Sequence, residues 1–333
     1  MKNSISVWNV KEEKFPKNGK LINKLKFLLR YAILAPSGHN SQPWKFRIDN
    51  SCLEILPDYS RSRTEVDPDD RELFISLGAV SKNIEVAAGY FGLIYERIIE
   101  KDKIIFKFKE GKVISKSKDL FIAIPKRNTN RGDYLEKQIQ KDKLASIDKA
   151  AEEISFLRLI DNKSEKKELA KLVATADLIW FKSKNLVEEL EGWLRDDVES
   201  SKDGLPTSVL SLYKVAVEFK YLFSGDSELA KKKAERDFDR TIKSPLLIAI
   251  VTKKDTIEDW IEAGRQYEEL ALRLTSLGLS NGFYNIIIQL KKPRKDLAEL
   301  LKVKGSVQML LRVGYAKEAP SRTQRRPVDE VLL

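Results

Sequence analysis

The chain has 333 residues and a mass of 38.2 kDa, with 42% hydrophobic residues and a formal net charge of +11. The length suits two domains or one large one, and the apolar share excludes a disordered chain. Cys52 is the only cysteine, so no internal disulfide can form; with no signal-like run at the N-terminus and no apolar stretch of membrane-spanning length, a cytoplasmic setting is expected.

Residues 21 to 35 read as a helix, with Leu21, Leu25, Leu28, Leu29 and Ala32 on one face and Pro36 ending it. Ser37 to Asn40 form a loop. Trp44, Phe46 and Ile48 alternate with Lys45 and Arg47, Asp49-Asn50-Ser51 turns, and Leu53 and Ile55 return the chain. A long helix is expected from Asp70 to Leu93, its first turn favoured by acidic residues. Strands are expected at 104–109 and 112–116, joined at Gly111, and a third apolar strand at Leu120–Ile124. In the first of these, Lys103, Lys107 and Lys109 make a wet basic face.

The pattern then restarts. Residues 133–151 are helical in character, Phe156–Ile160 reads as a strand, and Ser164 is a plausible cap for a helix to Thr175. Within 181–240, Val209–Leu222 looks like an amphipathic helix. Lys231-Lys232-Lys233 runs into Glu235, Arg236, Asp237 and Asp239, which predicts a solvated helix. Because the lysines are dispersed and no zinc, helix-turn-helix or stacking motif accompanies them, nucleic-acid binding is not expected. Leu246–Val251 is a buried strand, Thr256–Leu277 a long helix opened by Thr256 and Asp259 as a capping box, and Gln308–Val313 the last strand before a Pro- and Arg-rich tail.

Two helices share a signature. Gly78 precedes Gly92 by the same 14 residues that separate Gly264 from Gly278. The early glycine of each pair would let another helix approach closely, and the later one can cap the C-terminus. This spacing suggests an internal duplication whose two units face each other as the subunits of a twofold dimer do.

The motifs Ala35-Pro36-Ser37, Gln42-Pro43-Trp44, Asp67-Pro68-Asp69-Asp70-Arg71, Arg127-Asn128-Thr129-Asn130-Arg131, Ala263-Gly264-Arg265 and Arg325-Arg326-Pro327-Val328 occur in that order. In this order and spacing the chain resembles the nitroreductase superfamily of FMN enzymes, within it the duplicated branch related to the mycobacterial Acg proteins. The resemblance implies an α+β, three-layer fold of mostly antiparallel sheets flanked by helices, two nitroreductase-like halves forming an intramolecular pseudo-dimer. Residues 1–125 would be the half that supplies the Pro-Ser loop. Residues 126–333 would carry the phosphate segment and a lid-like insertion near 181–240.

The same resemblance assigns FMN binding to Arg127, Thr129 and Arg131 (phosphate and ribityl chain), to Ser37, Gly38, His39, Asn40 and Gln42 (partner loop), to Gly282 (flavin edge) and to Arg325 or Arg326 (distal cation). It implies one FMN per chain, because no second arginine segment precedes Lys24 and the second half lacks a Pro-Ser loop. It also implies hydride passing from NAD(P)H through FMN to a small electron acceptor such as a nitroaromatic or quinone, with no obligatory acid or base among the side chains. The other implied readings are a flavoprotein that stores or senses FMN with little turnover, and a flavin-free interaction protein. A monomer suffices in this scheme, and a homodimer is compatible with it.

From the residues alone the readings are plainer. Arg127 and Arg131 would be surface residues at a turn, Arg325 and Arg326 a loose basic tail, His39 a loop histidine without the further ligands zinc requires, and Cys52 an inert thiol. Trp44 and Tyr284 would be core or wall residues, and Tyr267 and Tyr315 packing residues.

Overall fold

The computed structural model describes residues 6–111, 118–153, 156–196, 201–206, 228–318 and 322–333; the strand expected at 112–116 and the helix expected at Val209–Leu222 lie outside them. Helix α1 (Leu21–Ala32) buries its leucine face. The apolar alternation after Pro43 makes β1 (Trp44–Asp49), and Asn50, at a φ of +50°, turns the chain into β2 (Cys52–Pro57). Helix α2 (Arg71–Tyr90) starts on Asp67, whose carboxylate accepts the backbone N–H groups of Glu72 at 2.8 Å and Leu73 at 3.0 Å. It stops at Gly92, in the left-handed region at +74°.

Strands β3 (Leu93–Glu100) and β4 (Lys103–Glu110) follow. The partner of β4 therefore precedes it, joined through Lys101 and Asp102 rather than around Gly111. β3 escapes a sequence reading because it is a largely half-buried edge strand, and Ile98-Ile99 breaks its alternation. Leu120–Ile124 is another difference. This stretch belongs to helix α3 (Lys118–Ala123), since so short an apolar run carries no period that separates strand from helix.

In the second part of the chain α4 (Lys141–Glu153) begins eight residues later than the expected helix at 133, because the backbone around Tyr134 and Leu135 pairs instead with Tyr315 and Ala316. After β5 (Leu157–Ile160) comes α5 (Lys163–Phe181), capped by Asn162 and not by Ser164: the Asn162 Oδ1 accepts Ser164 N–H at 2.8 Å. Helix α6 (Lys184–Gly192), the short pair β6 (Leu194–Arg195) and β7 (Leu205–Pro206), and α7 (Glu228–Lys243) precede β8 (Leu246–Thr252). Helix α8 (Ile257–Ser276) has the expected Thr256/Asp259 capping box. β9 (Ser280–Phe283), α9 (Ile286–Gln289), α10 (Lys291–Leu300), β10 (Ser306–Gly314) and α11 (Val328–Val331) complete the chain.

The strands form two antiparallel sheets, β1-β2-β4-β3 and β5-β8-β10-β9. In each, the long helix lies between the second and third strands of the set in chain order, so the two sheets have one topology. The fold is α+β, with two like halves facing each other across α2 and α8. Those helices touch backbone to backbone. A Cβ added at Gly78 would lie 1.9 Å from the carbonyl oxygen of Ile261, and one added at Gly264 would lie 1.8 Å from that of Ile75. Each glycine meets the residue three positions before the other, the reciprocity a pseudo-twofold axis requires.

The C-terminal segment crosses to the first sheet, where Leu333 N–H donates to Phe46 O at 2.8 Å. It is anchored, not a loose tail. Among the described residues no helix is long and apolar enough to cross a membrane.

Candidate functional site

The loop after Pro36 holds three non-glycine residues in the left-handed region: His39 at +49°, Asn40 at +56° and Gln42 at +52°. Such backbone is uncommon and persists when its surroundings over-determine it. Here they do. Ser37 Oγ accepts Gln42 N–H at 2.8 Å, Asn40 Nδ2 donates to Gly204 O and Gln324 O at 3.0 Å each, and Gln42 Nε2 donates to Lys202 O at 2.9 Å. Gln42 Oε1 accepts the backbone N–H of Arg326 at 2.8 Å. Asn40 and Gln42 thus tie the loop to the C-terminal segment and to the stretch around Gly204. Gly38 is needed because the Arg63 guanidinium lies against it: an added Cβ would stand 2.2 Å from Nη2.

The Arg127–Arg131 segment is held by the second half. Asn130 N–H donates to Asn281 O at 2.8 Å, and Arg312, stacked 4.2 Å from the Tyr134 ring centre, donates to Gly132 O at 2.6 Å. Gly282 packs against this segment, where a Cβ would lie 2.3 Å from Asn130 O. Its role is to admit that backbone; it lines neither of the cavities described next.

Two adjoining cavities share Pro36, Ser37, Thr129, Arg131 and Leu205. The smaller, about 30 Å³, is walled by Arg127, Arg131, Arg322 and Arg325 with Asn40, Asn128 and Trp8. The larger, about 250 Å³, has a floor of Ile75, Ala79, Met309, Tyr267 and Phe283, and Gly38 and His39 stand on one side. Its roof comes from α5, α6 and α7 through Trp180, Phe181, Leu190 and Arg236. Of the residues singled out in the sequence, Ser37, Gly38, His39, Asn40, Arg127, Thr129, Arg131 and Arg325 meet here. Gln42, Gly282 and Arg326 do not: Arg326 faces Asp58, 3.4 Å away.

Arg131 is half-buried and has no acidic partner among the described residues, and desolvation lowers its pKa without discharging it. Arg325 is 2% exposed and is pushed down by burial and by Arg127. Glu268, fully buried beneath them, lies 3.3 Å from Arg127 and has no hydrogen bond on either oxygen; burial pushes it up to about 7. The smaller cavity is therefore ringed by four arginines near one weak carboxylate; Arg127 Nε meets Glu268 only as an ion pair, and Arg127 Nη1 and Arg325 Nε are buried with no hydrogen bond. Unpaired buried donors of this kind are costly and call for an anion. In the larger cavity His39 is held neutral, its pKa lowered to about 3 by burial and the nearby Arg63, and its Nδ1 is unpartnered.

The pseudo-twofold equivalents of Ser76 and Ala79, which line the cavity, are Glu262 and Arg265, counted from Gly78 and Gly264. These larger residues pair with each other at 2.6 Å, and Arg265 reaches Glu85 at 3.1 Å while Arg97 reaches Glu85 at 3.2 Å. An ion network thus lies at the pseudo-twofold counterpart of the larger cavity.

No family model matches the chain. It is 25% identical to the Mycobacterium tuberculosis protein named "Putative NAD(P)H nitroreductase acg", over 92% of this chain and 95% of that one. A second M. tuberculosis protein, "Putative NAD(P)H nitroreductase Rv3131", is 26% identical over 92% of this chain and 90% of that one. The chain is similar to the Acg proteins along nearly its whole length. This likeness spans both halves and the roof, as the motif order implied. Among solved structures, the FMN-dependent nitroreductase NfnB from Mycobacterium smegmatis, in complex with NADPH, aligns with 65% of this chain and 97% of its own, at 14% identity and a TM-score of 0.42.

Several site residues are absent from the sequence reading. Arg63 and Trp8 sit outside any motif. Tyr267, expected only to pack, lines the larger cavity and donates to Asn281 Oδ1 at 3.2 Å. The greatest correction is α7. Lys233, Arg236 and Asp237, read as part of a solvated helix, line the cavity together with Arg240. Their spacing of three and four residues puts them on one helix face, but which face is covered is settled by α5 and the second sheet.

Proposed function

We propose that the protein is an FMN-dependent oxidoreductase using NAD(P)H, with one FMN per chain at the seam of halves 1–125 and 126–333. The observation that carries this reading is the pair of joined cavities: one small and ringed by arginines without enough counter-charge, the other larger and floored by apolar and aromatic groups. A dianionic phosphate suits the first, and a flat ring suits the second. The relatives' names, NAD(P)H nitroreductases, support the same chemistry.

Arg127, Arg131, Arg322 and Arg325 would hold the phosphate, with the Thr129 hydroxyl beside them. Ile75, Ala79 and Met309 would exclude water from the ring, and neutral His39 would offer Nδ1 to a polar edge. FMN, when bound, supplies hydride transfer between NAD(P)H and an electrophilic acceptor such as a nitroaromatic or quinone. The chain's own part is to bind, orient and keep water out.

A second reading, retention of FMN with little turnover, is favoured by the roof. Lys233 of α7 pairs with Asp177 of α5 at 3.2 Å, which holds the roof together, and Arg240 ties α7 to Asp133 at 2.6 Å, beside the arginine segment. The natively purified protein is expected to be yellow, with one FMN per chain by absorbance. Anaerobic stopped-flow mixing with NADH and NADPH should bleach it within seconds. A yellow protein bleached by neither donor is a store and not an enzyme; a colourless protein that takes up no FMN removes both readings.

A further inference from the structure

Helix α7 turns a charged stripe inward. Lys233, Arg236, Asp237 and Arg240 face the larger cavity, where an amphipathic helix at a surface would turn such a stripe to water. Three of the four have close partners. Lys233 pairs with Asp177 and Asp237, Arg240 with Asp133, and Asp237 with Lys233. Arg236 is half-buried and has only a long pairing: Asp237, already engaged by Lys233, is 3.8 Å away, and Arg236 Nε is buried with no hydrogen bond. Burial and the neighbouring Arg240 push its pKa down, and the more distant charges of Asp237, Asp177 and Asp133 offset this only in part. Arg236 lines the larger cavity and not the arginine-ringed smaller one, so a phosphate held in the latter does not answer it.

We propose that Arg236 is a specificity-determining residue, forming with the roof a subsite for the anionic group of a second substrate that enters the larger cavity. The ligand class is a small planar molecule bearing a carboxylate or phosphate. A planar guanidinium with a free edge binds such oxygens in a geometry that lysine does not reproduce. The inference rests on the flavin reading for what the second substrate does, but not for how its anion is held. Two sources share this chemistry: an acidic aromatic acceptor and the phosphate of the nicotinamide donor.

The test is calorimetric titration of the protein as purified, its colour recorded, with two matched pairs of probes: benzoate against benzamide, and nicotinamide mononucleotide against nicotinamide. In the wild type, at least one anion should bind about tenfold more tightly than its neutral partner. Arg236→Gln should bring that ratio close to one while leaving the neutral probe's affinity and the melting temperature unchanged, and Arg236→Lys should restore part of the ratio. The benzoate arm alone responding identifies an acidic acceptor; the nucleotide arm alone identifies the donor. Equal binding within both pairs, or a ratio that survives Arg236→Gln, overturns the proposal. Because heat is read whether or not flavin is present, a colourless protein fails the flavin reading without deciding the roof.

Discussion

Arg131 stands at the junction of the two cavities with no carboxylate to meet it. A charge-assisted bond to an enclosed phosphate contributes about 1.5–3 kcal/mol, which is roughly tenfold to a hundredfold in affinity. Arg131→Ala should therefore raise the dissociation constant for FMN by that factor in a fluorescence titration of the apoprotein, and riboflavin, lacking the phosphate, should lose far less. Unchanged FMN affinity would place the phosphate elsewhere. Arg312 acts at one remove, by clamping the carbonyls of Asn130 and Gly132. Arg127 and Arg131 were legible as candidates because the motif sits in a fixed order with the Pro-Ser loop. Arg63, Trp8 and Arg236 were not, because a lone side chain carries no sign of which cavity it will face.

Among the elements, the α2–α8 contact governs the site, since Ile75, Ala79 and Tyr267 on these helices make its floor. Gly78→Ala and Gly264→Ala each place a methyl group within 2 Å of a carbonyl oxygen on the opposing backbone, and no side-chain rotation relieves that. Each should cost about 3 kcal/mol or more by chemical denaturation, in keeping with overpacking at a rigid contact. Gly192→Ala, with nothing within 4 Å, should change stability by less than about 1 kcal/mol. Equal effects at the three positions would disprove the close seam. The paired glycines were readable because their spacing repeats. β3 and α3 were not, because a half-buried edge strand and a six-residue apolar run lack the period that distinguishes strand from helix.

For the molecule as a whole, three buried carboxylates with raised pKa values link stability to pH: Asp67, pushed up to about 6, and two others. Glu268 at the seam and Asp177 under the roof are each pushed up to about 7, chiefly by burial, against about 4 in an unfolded chain. Between those values the folded state binds more protons than the unfolded one, so this contribution is present in full below about pH 4 and is lost as pH rises through 7. Relative to wild type, Glu268→Gln should make the slope of unfolding free energy against pH less negative between about pH 4 and 7, leaving the parts due to Asp177, Asp67 and His39; an unchanged slope would mean that Glu268 does not titrate there. By itself the sequence determined the hairpin β1–β2, the capping box of α8 and the paired glycines of the two long helices, because periodicity, turn residues and spacing are local or repeated signals; the α+β class and the candidate arginine segment came from the family resemblance. Only the tertiary structure decided that Asn40 and Gln42 bind backbone, that Gln42, Gly282 and Arg326 stand outside both cavities, that Glu262 and Arg265 lie at the counterpart of the larger cavity, and that the charged face of α7 looks inward. Burial and pairing are properties of the elements stacked against a residue, and a one-dimensional pattern does not say which elements those will be.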